Sequence, residues 1–290
     1  MKEITILSGK GGTGKTSITA ALASVAEHAV FCDNDVDAAD LHLILQPRVK
    51  EEYTFYGGWQ ATINNMKCAR CGLCAEYCRF EAISKNTNGD FNVNTFKCEG
   101  CRLCERICPE KAISSNKSAN NFWYVSDTRL GTFVHAKMGA GEENSGKLVS
   151  QVRKRANEIA KENGMHFVLN DGPPGIGCAA ISSITGVNYV LLVIEPTRSG
   201  FHDIKRLVEL VKSFEIEAYA VINKYDINID MVEKIETYLL AQNIPLFGKI
   251  PFDRKMVEAM IAGKTIIEYS PNSTSSSILR EVWNKIKNKE

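Results

Sequence analysis

Short apolar runs alternate with helical periodicity along most of this 290-residue chain. Lys2 to Leu7 carries Ile4, Ile6 and Leu7 and predicts a short strand, while Thr16 to Glu27 spaces its apolar residues as a helix does. Ala29 to Cys32 predicts a second strand. After a region of different character the pattern resumes. Strands are predicted at Asn121 to Ser126, His166 to Leu169, Val187 to Ile194, Ala218 to Ile222 and Leu246 to Ile250, and helices at Lys147 to Glu162 and Gly200 to Phe214. This alternation predicts an α/β fold with a doubly wound, mostly parallel sheet. The final segment, Ser276 to Glu290, sets Ile278, Leu279, Val282, Trp283 and Ile286 on one helical face with Lys285, Lys287 and Lys289 nearby. Such a face more often packs on its own domain than on a membrane.

Between the first strand and helix lies Ser8-Gly9-Lys10-Gly11-Gly12-Thr13-Gly14-Lys15-Thr16-Ser17, a full G-x4-G-K-[ST] match in a strand–loop–helix context. Gly9, Gly11, Gly12 and Gly14 let the backbone turn so that several N–H groups converge on a polyphosphate at the positive end of the helix. Gly9 through Ser17 are therefore candidate nucleotide-binding residues. Lys15 is expected to reach the β- and γ-phosphates and the Thr16 hydroxyl to ligate Mg²⁺. Acids follow two strands on the same side of the sheet: Asp33, Asp35, Asp37 and Asp40 after the second, and Asp171 in Asn170-Asp171-Gly172-Pro173-Pro174-Gly175. An aspartate at a strand end, followed by a flexible glycine, suits a Mg²⁺-side acid and a hinge.

Thirty-five basic and thirty-four acidic residues leave a net charge of +1, which argues against a general polyanion binder such as a nucleic-acid protein. The longest clean apolar run, Val190 to Ile194, is strand-sized and far below a membrane span. The first strand starts directly after Met1, leaving no room for a signal-peptide core, so a cytoplasmic location is expected.

Eight of the ten cysteines fall between residues 68 and 108. Cys68-x2-Cys71-x2-Cys74-x3-Cys78 is repeated as Cys98-x2-Cys101-x2-Cys104-x3-Cys108-Pro109, and each run is followed by an Ala-Ile pair, Ala82-Ile83 and Ala112-Ile113. Zinc ribbons pair two knuckles around one ion and have no use for the third and fourth cysteine of each run. The segment from about Ala61 to Asn116 resembles a bacterial-type two-cluster ferredoxin, in which the fourth cysteine of each run ligates the other cluster. The resemblance implies one [4Fe-4S] cluster on Cys68, Cys71, Cys74 and Cys108, and a second on Cys98, Cys101, Cys104 and Cys78. Arg79 stands where the pattern has proline, with no ligand lost. Residues 1–60 supply too little sheet to bury a core alone, so residues 61–116 are expected as an insert in a discontinuous domain, 1–60 and 117–290.

The second lysine of the loop, in K-G-G-x-G-K-T, resembles the deviant Walker A family: MinD, ParA, the Mrp-type iron–sulfur ATPases and the nitrogenase iron protein. That resemblance implies a Mg²⁺-dependent ATPase whose ATP lies in a homodimer interface, with Lys10 crossing to the partner's nucleotide. Aligned on MinD, Asp35 orients the attacking water; aligned on the nitrogenase iron protein, Asp33 and Asp37 match the acids near Mg²⁺. Asn223 and Pro251, Phe252 and Asp253 fall where the family holds adenine. Glu142 and Asn144 lie in a loop that in such a dimer meets the partner. Cys178, seven residues after Asp171, is expected as a buried structural cysteine. The functions implied are ATP hydrolysis coupled to low-potential electron transfer with an unidentified redox partner, or an ATPase that builds or hands on iron–sulfur clusters. A ParA-like positioning ATPase with a redox sensor is a further reading.

Overall fold

The computed structural model describes residues 1–117, 119–139 and 145–289. In chain order the first elements are β1 (Lys2–Ser8), α1 (Lys15–Ala23), β2 (Ala29–Asp33), α2 (Leu41–Leu45) and β3 (Arg48–Phe55). The cysteine-rich region contributes β4 (Trp59–Ile63), α3 (Leu73–Glu76), β5 (Ile83–Lys85), β6 (Phe91–Val93), α4 (Leu103–Ile107) and β7 (Ile113–Lys117). Then follow β8 (Asn121–Thr128), β9 (Gly131–Lys137), α5 (Ser145–Glu162), β10 (Phe167–Pro174), α6 (Cys178–Ile184), β11 (Tyr189–Ile194) and α7 (Arg198–Ser213). The chain ends with β12 (Glu217–Asn223), α8 (Ile229–Ala241), β13 (Leu246–Ile250), α9 (Arg254–Ile261), α10 (Ile266–Tyr269) and α11 (Thr274–Lys287).

The chain divides into two compact units, residues 1–52, 124–136 and 146–290 in one, and 53–123 and 137–145 in the other. Among the described residues, the larger sheet runs β13-β12-β11-β1-β10-β2-β9-β8-β3. All pairings from β13 to β9 are parallel. Burial on both faces explains the near-continuous apolar strands. Ile4 and Ile6 pack with Ile18 and Leu22 of α1 and with Leu279, Val282 and Trp283 of α11. Leu7, Leu192 and Ile222 face the other way, onto Ile204 and Leu207 of α7 and Ile235 of α8. The fold is thus doubly wound, and α11 buries its apolar stripe in its own unit. No helix among the described residues is long and apolar enough to cross a membrane.

Several element bounds differ from the sequence pattern. The first helix stops at Ala23 instead of Glu27, its last turn closing on Ser24, whose Oγ lies 2.6 Å from Thr265 Oγ1. β10 runs on through Asp171 to Pro174, because β1 pairs with it beyond a bulge and Ser8 reaches Pro174. Two strands that carry no strong pattern, β3 and β9, extend the sheet beyond β2.

In the second unit β4 pairs antiparallel with β7 and β5 with β6, around Ala61, Cys74, Ile83, Phe91 and Ile113. The sequence duplication has a backbone counterpart. Asn64 N donates to Ala112 O at 2.8 Å and Asn94 N to Ala82 O at 2.7 Å, so each repeat is stitched to the other at the same position. Tyr53 and Trp123, at the two limits of the longer segment, stack with ring centroids 4.1 Å apart.

Candidate functional site

In the first unit the loop after β1 opens a cavity of about 390 Å³ at the carboxyl ends of the parallel strands, where ligands of doubly wound sheets bind. Gly14, at φ 88, turns the chain into α1, and a side chain there would collide with the Asn223 amide. Gly9 is required for closeness, since a Cβ would come within 2.6 Å of Asp203 Cβ. Gly11 has no such constraint; a Cβ there would meet open space. Gly11 through Ser17 line the cavity, and Thr13 Oγ1 is buried without a hydrogen-bond partner among the described residues. An orphaned hydroxyl in a glycine-rich cradle fits a phosphate oxygen.

Lys15 and Thr16 open α1 and meet Asp171 of β10. Lys15 Nζ lies 3.0 Å from Asp171 Oδ1 and 3.8 Å from Asp35 Oδ2. Thr16 Oγ1 donates to Asp171 Oδ2 at 2.8 Å, and Thr19 Oγ1, one turn on, to Oδ1 at 2.7 Å. Asp33 is fully buried, its two oxygens accepting from the Asp35 and Leu41 backbone N–H groups, so it shapes the loop after β2 from beneath. Asp35 lines the cavity; Asp33 and the exposed Asp37 do not.

Electrostatics follow from three carboxylates gathered near one buried ammonium. Burial alone would depress Lys15, but Asp171, Asp35 and Asp33 hold it above its ordinary value. Burial, with Asp171 beside it, pushes Asp33 well up. Burial raises Asp35 to about 6, with Lys15 opposing the shift. The surplus of negative charge beside the Thr16 hydroxyl fits a hard divalent cation with oxygen ligands.

The remaining expected contacts fall as follows. Asn223 is buried; its amide donates to Thr13 O at 2.8 Å and its Oδ1 accepts from Lys224 N, so it braces the loop from β12. Pro251, Phe252 and Asp253 line the cavity, Phe252 half-exposed, while both Asp253 oxygens are taken by Lys255 N and Ser275 Oγ. Lys10 is held within its own chain, its Nζ 2.9 Å from Glu195 Oε2. Cys178 corrects the sequence reading: it is exposed, not buried, because it opens α6 on the solvent side of the glycine-rich loop after Pro174. Glu142 and Asn144 lie outside the described residues. Thr19, Glu195 and Lys224 were not singled out by motif. Strand-end position is the signal that marks the last two, after β11 and β12.

In the second unit, Cys68, Cys71, Cys74 and Cys108 line one small cavity, and Cys78, Cys98, Cys101 and Cys104, together with Cys74, line another. All are free thiols, and within each set of four one is exposed, Cys71 or Cys101. Among the described residues no three metal-ligating side chains meet tightly enough to grip a single ion. Backbone N–H groups point at sulfur in matching places: Ala82 N to Cys78 Sγ at 3.4 Å and Ala112 N to Cys108 Sγ at 3.3 Å.

Similarity to known proteins extends over both units. The sequence profile of CbiA, the CobQ/CobB/MinD/ParA nucleotide binding domain, matches residues 4–266. An uncharacterized protein of Methanocaldococcus jannaschii is 35% identical over 289 residues, 98% of this chain and 96% of that one. An iron-sulfur cluster carrier protein of Pyrococcus horikoshii is 26% identical over 156 residues, 50% of this chain and 52% of the carrier. The septum site-determining protein MinD of Pyrococcus horikoshii, solved with Mg-ADP, superposes with a TM-score of 0.60 at 18% identity, covering 99% of this chain and 96% of that one. With the P-loop cavity on the carboxyl edge of a doubly wound sheet, these matches place the chain in the CobQ/CobB/MinD/ParA family of nucleotide-binding proteins.

Proposed function

We propose that the chain is a homodimeric Mg²⁺-dependent ATPase that couples ATP hydrolysis to low-potential electron transfer through two [4Fe-4S] clusters. The observation that carries this reading is the presence, in one chain, of a P-loop cavity and of eight cysteines lining two further cavities. In the ATPase unit the loop N–H groups and Lys15 bind the β- and γ-phosphates. Thr16 and Asp171, with Asp35 facing the cavity, are the groups that would hold Mg²⁺, whose charge offsets that of the phosphates, while Asp33 supports the loop from beneath and Asp37 lies outside the cavity. Asp35 faces the cavity and orients the attacking water, and Lys10 of a second copy reaches the transferred phosphoryl group. Pro251 and Phe252 flank the base, with Asn223 beside it. In the ferredoxin-like insert, residues 61–116, one set of thiolates is Cys68, Cys71, Cys74 and Cys108, the other Cys78, Cys98, Cys101 and Cys104. When bound there, clusters supply one-electron transfer at low potential.

The test is reciprocal. Midpoint potentials of anaerobically prepared protein are measured with and without ATP, and ATP affinity is measured in oxidised and reduced protein. Linkage requires both to change by the same factor. A shift of about 60 mV for one electron equals ~1.4 kcal/mol, within the usual range of coupling between sites. Equal potentials and equal affinities would refute the coupling.

Likeness to an iron-sulfur cluster carrier over half of the chain favours one alternative, an ATPase that passes clusters to an acceptor protein. Three of the four cysteines in each set are wholly or partly buried, which suits retained clusters better than exchangeable ones. Iron transfer from loaded protein to an apo-ferredoxin within minutes of ATP addition would favour the carrier.

A further inference from the structure

Glu195, directly after β11, bridges two lysines that come from distant parts of the chain. Its Oε2 lies 2.9 Å from Lys10 Nζ and its Oε1 2.8 Å from Lys224 Nζ. Lys10 Nζ also donates to Thr197 Oγ1 at 3.0 Å and Ser199 Oγ at 3.1 Å, so its three protons all have acceptors inside the same subunit. Lys224 Nζ makes a second bond, to Gly12 O at 3.1 Å, which ties the crest of the P-loop into the same network.

The placement of Lys10 needs a negative charge to explain it. Thr197 is the N-cap of α7, a helix of sixteen residues, and its Oγ1 already accepts from Gly200 N at 3.0 Å. A helix N-terminus repels a cation. Among the described residues, Glu195 is the one carboxylate within 4.0 Å of the Lys10 ammonium. Burial would raise the Glu195 carboxyl, but its bonds from Lys224 and Lys10 hold it below its ordinary value, which keeps the charge in place.

We propose that Glu195 is a positioning residue that holds Lys10 in its own subunit, so that a nucleotide-loaded second copy of the chain must compete with Glu195 for the Lys10 ammonium. The inference rests on the homodimer reading above and adds to it the group that opposes association. Because Glu195 also holds Lys224, and Lys224 holds Gly12 O, withdrawal of Lys10 is linked to the shape of the P-loop crest. The competing group carries negative charge, such as the terminal phosphate of ATP held by the second copy.

The test uses the full chain with Glu195→Gln, which keeps size and removes charge, and Glu195→Asp, which keeps charge. Acetylation of lysines by a limiting acyl donor is followed by mass spectrometry in nucleotide-free protein, with the exposed Lys154 as internal reference. Lys10 should react several-fold faster in Glu195→Gln, with Glu195→Asp closer to the unsubstituted protein and Lys154 unchanged in all three. In sedimentation, the protein concentration at which ATP drives self-association should fall roughly fivefold in Glu195→Gln, as expected for losing a partly exposed ion pair on one side of a competition. Unchanged Lys10 reactivity overturns the intramolecular hold. Faster Lys10 with unchanged or weaker association overturns the competition. Wild-type protein that stays monomeric with ATP at every concentration removes the homodimer reading itself, and the reactivity measurement still decides whether Glu195 holds Lys10. A thermal melt of each variant within a few degrees of the parent excludes misfolding.

Discussion

Thr16 Oγ1 donates to Asp171 Oδ2 at 2.8 Å, joining the first turn of α1 to β10. The bond sets a hydroxyl of the cavity wall against a buried carboxylate. Asp171→Asn keeps the shape and removes the charge. It should lower ATP turnover by roughly 100-fold or more, the size of effect expected for losing charge stabilisation in the transition state. ADP affinity should change far less. Steady-state hydrolysis and equilibrium binding at matched Mg²⁺ concentrations separate the two.

The two P-loop lysines should behave differently. Lys15 is buried at 6% side-chain exposure and faces Asp171, whereas Lys10 is 28% exposed and faces Glu195. Lys15→Ala should abolish nucleotide binding in calorimetry. Lys10→Ala should bind ATP within a fewfold of the parent and fail both to self-associate and to hydrolyse.

Reconstituted anaerobically, the protein should carry eight irons per chain and negligible zinc by metal analysis. Cys104→Ser should remove about half of that iron if the second set holds one cubane. Stoichiometric zinc, or a single cluster in well-loaded protein, would count against the ferredoxin-like reading.

The Arg129–Glu268 pair makes a pH prediction. Arg129 Nε and Nη2 lie 2.6 and 2.7 Å from the two Glu268 oxygens, and the same guanidinium reaches the Ile44 and Leu45 carbonyls at the end of α2. Its hydrogen bond holds Glu268 down to about 2. A depressed carboxylate stabilises the fold fully above its unfolded value of about 4.3, and that stabilisation is lost as pH falls towards 2. Glu268→Gln retains a side chain able to complete the Thr265 capping box but not the charge. After allowance for solvent screening it should cost about 1 kcal/mol at pH 7 and nearly nothing near pH 2, measured by urea unfolding across that range.

Trp283 is 4% exposed and meets Phe167 edge-on at 5.1 Å. Trp283→Ala should cost about 3–5 kcal/mol of unfolding free energy by opening a cavity between α11 and the sheet. Vesicle binding should be absent in both parent and variant, since the apolar stripe of α11 is occupied internally.

Elements whose stability is local or fully buried were legible in the sequence, and those that depend on distant neighbours were not. The parallel strands announce themselves because burial on both faces demands continuous apolar residues, as in Tyr189–Ile194. β3 reads Arg-Val-Lys-Glu-Glu-Tyr-Thr-Phe and is exposed along most of its length, because at the sheet's edge neither face needs apolar cover. β9 is interrupted by His135, whose burial depends on stacking against Phe133 and Tyr124 and on its contact with Ser126 Oγ. In the site, loop motif and strand-end acids drew attention to Lys15, Thr16 and Asp171. The hold of Glu195 on Lys10 spans 185 positions and no spacing rule reports it. Cys178 misleads for a related reason: a cysteine is usually buried, but the glycine-rich loop before it carries the chain out to solvent.

The stacking of Tyr53 on Trp123 acts as a clasp for a long stretch of chain. The stack brings the two ends of the 53–123 segment together within their own unit. Closeness of the two ends is what makes an inserted segment tolerable to its host. None of the six parallel pairings from β13 to β9 contains a residue of that segment. Within it, the matching backbone bonds of Asn64 and Asn94 mirror the doubled cysteine pattern of the sequence.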